Sequence, residues 1–109
     1  MKTIHKYRLQ SGAVINTLNL RQGYRLVRSE YLLTEKAVFI WVEEPLSVDA
    51  PFIATEFVVV LTGKPVPMNY VYRDTALDTF GPEAFHVYEV PSGEPQTSGA
   101  IEDGKLRAA

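Results

Sequence analysis

Residues 61–70, LTGKPVPMNY, hold the pairing most suggestive of chemistry, Gly63-Lys64 at the end of an apolar run. In nucleotide-binding loops such a pair cradles phosphate. A glycine then precedes it by five positions, a hydroxyl residue follows the lysine, and a helix begins. Here those places hold Val58 and Pro65, and Pro67 denies an immediate helix. The two prolines also remove backbone N–H donors that would hold an anion. The stretch reads as a turn, with Gly63 supplying a backbone angle that other residues resist.

His5 and His86 invite a metal reading if the two end strands pair, but no nearby His or Cys completes a ligand set, so none is expected. Glu43-Glu44 and Asp74 with Asp78 are the paired carboxylates. The first pair meets Pro45 and is expected in solvent. The second shares a face only if residues 74–80 form a turn of helix. With no cysteine and no Gly-x-Ser-x-Gly elbow, the residues indicate no catalytic set, and neither an enzyme nor a cofactor is expected.

Arginine and tyrosine are the richer signal. Arg21, Arg25 and Arg28 recur around Tyr24 and Tyr31, and MNYVYRD (68–74) sets Tyr70 and Tyr72 beside Arg73. Basic residues interleaved with aromatics can track a phosphate backbone. Against that, the isoelectric point is near 5.6, and Arg25 and Arg28 fall on opposite faces of a regular strand. Nucleic acid is therefore disfavoured. Tyr and Arg also anchor protein interfaces, which makes Tyr24, Arg25, Arg28, Tyr70, Tyr72 and Arg73 the interface candidates. The other reading, rings that cap the core with their hydroxyls in water, stays open.

The 109 residues suffice for one core, and 46% apolar with 22% charged residues is ordinary for a soluble domain. The absence of cysteine fits a reducing cytoplasm, which is the expected location. There is no signal-like N-terminus and no apolar run of membrane-spanning length. Residues 1–36 carry seven basic side chains against Glu30 and Glu35, a net +5, while the remainder carries −7. Opposite charges are expected to meet across neighbouring strands.

These residues must be positioned by strands. AVFIWVEE (37–44) and FIATEFVVVLTG (52–63) are apolar on both alternating faces, as in a strand covered on both sides, and Trp41 is expected in the core. AFHVYEV (84–90) alternates. TIHKYRL (3–9), AVINTLNL (13–20) and YRLVRSEYLL (24–33) are weaker strands, the last with a bulge or a change of direction near Ser29. Short turns between them suggest an antiparallel meander. After Val90 the chain is rich in Pro, Gly, Ser and Glu, so the domain is expected over 1–90 and a mobile tail over 91–109. The expected fold is mainly β with at most one short helix, a small antiparallel sandwich or partly open barrel of six or seven strands.

MKTIHKYRL at the start, FIWVEEP, LTGKPVP and FHVYEV give the chain a resemblance to the short DUF7352-like proteins of bacteriophage and bacterial genomes. In that family the third piece is typically Gly-Thr-Gly-His-Pro, where this chain has Leu61 and Lys64 in place of the first glycine and the histidine. The resemblance implies a phage or prophage context and no activity. The expected function is a non-enzymatic accessory protein that binds a host or phage protein in the cytoplasm, with inhibition of a host or defence component as one version of that role. A homo-oligomeric assembly component and a small-molecule or nucleotide binder are the alternatives.

Overall fold

The computed structural model describes residues 1–91, and the expected tail from 92 onward lies outside the described residues. Among the described residues seven strands form and no helix: β1 (Lys2–Leu9), β2 (Asn16–Arg21), β3 (Arg25–Leu32), β4 (Ala37–Pro45), β5 (Phe52–Leu61), β6 (Val71–Leu77) and β7 (Ala84–Val90). They make two antiparallel sheets, β1-β4-β3 and β2-β5-β7-β6. The meander expectation is corrected, because only β3–β4 and β6–β7 are sequence neighbours that pair. β1 and β2 instead belong to different sheets, so the chain changes layer between residues 10 and 15.

The two sheets bury their facing sides against each other. Leu9, Val38, Ile40 and Val42 of the smaller sheet meet Leu20, Phe57, Val59, Phe85 and Val87 of the larger. The period-two spacing of these residues is what selects strands over helices. Tyr31 stacks on Phe85 with ring centroids 4.7 Å apart, a contact that spans the layers. Trp41 is not part of this core. It alternates with Ile40 and Val42, so it projects from the outer face of β4 and stays partly exposed.

Two further expectations change. The turn of helix at 74–80 is replaced by β6, because Ala76 enters the core and Asp74 turns toward β3. The bulge in β3 falls at Val27, two residues before Ser29. It drops one residue from the alternation, so Arg25 and Arg28 lie opposite Glu43 and Trp41 and share the outer face. The Gly63 turn forms as read: Lys64 N–H donates to Leu61 O at 3.1 Å, and Gly63 takes φ +90°. Charges do meet across strands, since Lys2 of β1 and Arg25 of β3 both reach Glu43 of β4. No helix among the described residues is long and apolar enough to cross a membrane.

Candidate functional site

β3 and β6 are edge strands, one from each sheet, and they run beside one another where the sandwich is not closed. A single clasp joins them. The Asp74 carboxylate accepts the Ser29 backbone N–H at 2.9 Å and the Ser29 hydroxyl at 2.8 Å. An edge N–H that would otherwise be open to another strand is thereby satisfied by a side chain. Next to the clasp each strand carries a bulge, at Val27 in β3 and at Arg73 in β6. Bulges re-aim side chains at sheet edges. Here they open a groove of about 350 Å³ lined by Tyr24, Arg25, Leu26, Tyr72 and Arg73.

The groove rests on a buried carboxylate. Glu89, facing inward from β7, accepts a hydrogen bond from the Tyr24 hydroxyl on one oxygen and from Arg73 Nε, at 2.8 Å, on the other. Burial, together with the Glu89 charge, pushes the Tyr24 phenol up to about 12. Arg73 is thus held in place while much of its guanidinium faces water. On the other wall Arg25 stands off Glu43 at 3.5 Å and is largely solvated. Tyr72 packs edge-on to Tyr88 and shares a hydroxyl contact with Thr75. The result is a polar groove with two guanidinium groups and two phenol rings.

Four of the six sequence-derived candidates, Tyr24, Arg25, Tyr72 and Arg73, therefore converge. Arg28 lies outside the groove, paired with Glu30 on the outer face of its sheet. Tyr70 precedes β6 and lies near Glu56, whose charge adds to burial in raising its phenol. On the outer face of the smaller sheet, Lys2, Lys6, Arg8, Arg25 and Arg28 surround Trp41 and Phe39, with Lys6 Nζ 4.8 Å above the Phe39 ring.

The largest departure from the sequence reading is Glu44. Expected in solvent, it is 1% exposed. Glu43 and Glu44 are neighbours on a strand, so one must point outward and the other inward. Glu44 accepts from the Tyr7 hydroxyl, from His5 Nδ1 at 2.9 Å and from the Arg21 backbone N–H at 2.9 Å. Burial raises its carboxyl, but those donors outweigh it and hold the group below its ordinary range. Tyr7 in turn is pushed up to about 12 by burial and by Glu44. His5 and His86 do not meet: His86 lies in the other sheet and contacts the Thr62 and Thr75 hydroxyls.

Residues 1–98 match the family model described as Domain of unknown function (DUF7352). The chain belongs to the DUF7352 family. No curated protein and no solved structure matches it. In this DUF7352 protein the motifs FIWVEEP and FHVYEV contribute the two inward carboxylates, Glu44 and Glu89. The opening motif, MKTIHKYRL, supplies His5 and Tyr7 to the first of them.

Proposed function

We propose that this protein is a non-enzymatic binding module and that the β3/β6 groove takes an acidic segment of a partner protein. The observation that carries this reading is the convergence of Tyr24, Arg25, Tyr72 and Arg73 in one groove between two bulged edge strands. Tyr and Arg concentrate binding energy at protein interfaces, and arginine forks match carboxylates bidentately. Arg73 is pre-organised by Glu89, so less side-chain freedom is lost when a partner docks. In a phage or prophage setting the partner is a host or phage protein, and blocking that partner is the simplest outcome of occupying it.

The test compares partners captured from bacterial lysate by the wild type and by an Arg25→Glu/Tyr72→Ala double variant. Neither side chain is in the core, so the variant should keep the wild-type melting curve. Its captured proteins should lose at least one specific partner that the wild type retains. Identical captures by the two proteins overturn the groove assignment. A native mass showing a ring or higher oligomer that the double variant disrupts would move the function to self-assembly.

A further inference from the structure

We infer that a second cleft, between the start of β1, the end of β2 and the loop after β4, is a site for a small organic anion that carries its own hydroxyl group. The cleft encloses about 360 Å³, a size in the range of small-ligand sites, and shares no lining residue with the β3/β6 groove. Its groups of interest are His5, Arg21, Glu44, Leu46 and Phe52. Lys6 and Tyr7 also line it, and two of its polar groups, Arg21 and His5, are fixed from behind.

Arg21 is the first. Its Nη1 donates to Ala50 O at 2.7 Å and to Ser47 O at 3.3 Å, while the guanidinium lies 4.1 Å from the centre of the Phe52 ring. One nitrogen is committed to the loop, and no hydrogen bond from Nε or Nη2 to a described residue competes with a ligand. A planar cation held over an aromatic ring is suited to a carboxylate or phosphate. Glu44 is the only acidic side chain lining the cleft, and its charge is already met by three donors.

His5 is the second. Glu44 also receives the Tyr7 hydroxyl and a backbone N–H, so it acts as an acceptor, and the proton of the His5–Glu44 contact sits on Nδ1. In the neutral imidazole Nε2 is then an acceptor, and no described residue donates to it. It fits a ligand hydroxyl. Phe52 and Leu46, 59% and 50% exposed, supply an apolar wall beside these two groups. An anionic head for Arg21, a hydroxyl for His5 and a small apolar body define the class shared by hydroxy acids and sugar phosphates.

The experiment is a titration of ¹⁵N-labelled full chain, followed by amide shifts at residues 5, 21, 44, 46 and 52. Four probes are used: mandelate, phenylacetate, ribose 5-phosphate and inorganic phosphate. Mandelate differs from phenylacetate by the hydroxyl, so the pair isolates the His5 contact, and ribose 5-phosphate tests a phosphate head. At least one hydroxylated probe should saturate below about 10 mM and bind at least about tenfold more tightly than its partner lacking the hydroxyl or the sugar. Which of the two binds assigns the head group. His5→Asn keeps a donor for Glu44 near the Nδ1 position but has no Nε2, and it should erase the preference for mandelate or ribose 5-phosphate. Arg21→Gln should weaken every anion. Absence of saturable shifts below that concentration, or equal binding of both members of each pair, overturns the site. Neither result bears on the β3/β6 groove, whose residues are unchanged in these variants.

Discussion

Glu44 in β4 and Glu89 in β7 stand in the two facing sheets, each pointing inward near the same end of the sandwich. Each accepts a tyrosine hydroxyl and an N–H of a basic side chain: Tyr7 and His5 at Glu44, Tyr24 and Arg73 at Glu89. The clusters differ in two respects. Glu44 has a third donor, the Arg21 backbone N–H, and is 1% exposed, whereas Glu89 has no backbone donor among the described residues and is 9% exposed. The basic partner is a planar guanidinium fork at Glu89 but a single imidazole nitrogen at Glu44. A buried carboxylate can thus be met with a backbone donor among its partners, or by side chains of which one reaches water. The second arrangement suits a groove wall that must meet a partner.

Removing the carboxylates should break the comparison most visibly. Glu44→Ala leaves a half-buried phenol and a half-buried backbone N–H without their acceptor, and should cost about 3–5 kcal/mol. That is a large part of the stability of a small domain. Glu89→Ala frees Arg73 to return to water and should cost about 1–2 kcal/mol. Denaturant midpoints of the two variants give the ranking. Equal losses, or a larger loss at Glu89, would mean that the backbone donor does not distinguish the sites.

The acid limb of stability sharpens the contrast. The Glu44 carboxyl is held below its ordinary range in the folded chain, so its contribution is present above that range and lost as pH falls through the folded value. Glu44→Gln removes the titration. If the variant folds, its stability should fall less steeply than that of the wild type below about pH 4.5. Superimposable acid limbs would remove Glu44 from the acid response.

At alkaline pH the two clusters should behave alike. Tyr7 and Tyr24 are each raised from 10 to about 12, so the folded chain keeps protons that the unfolded chain releases. Their contributions are intact below about pH 10 and decline as pH rises toward 12. Tyr7→Phe and Tyr24→Phe should each flatten that decline by a similar amount, measured as unfolding free energy against pH. A marked inequality would show that burial differs more between the clusters than the shared motif suggests.

Much of the fold was legible because period-two apolar spacing is strong in β4, β5 and β7. Seven strands and an unclosed pair of sheets follow from it. Pairing order was not legible, since nothing local says that β1 joins β4 while β2 crosses to the other layer. Single-residue bulges were equally hidden: Val27 shifts the alternation that had placed Arg25 and Arg28 on opposite faces. The groove residues could be found because Tyr and Arg cluster in sequence at 24–28 and 70–73. Glu44 was missed because Pro45 beside a carboxylate pair resembles a solvated strand end. The usable signal was alternation itself: with Val38, Ile40 and Val42 inward, position 44 points inward too.

The smallest expected difference lies in the two basic side chains. Among the described residues Glu89 has two side-chain partners, so without Arg73 only Tyr24 remains of these donors. Glu44 without His5 still has Tyr7 and the Arg21 N–H. Both basic side chains are substantially solvated, 42% exposed at Arg73 and 51% at His5, which keeps either effect in the range of exposed pairs. Arg73→Ala should therefore cost about 1 kcal/mol and His5→Ala about 0.5 kcal/mol or less at neutral pH. Paired denaturation curves resolve that order. If His5→Ala proves the costlier change, the imidazole and not the backbone holds Glu44, and the distinction drawn between the clusters fails at its root.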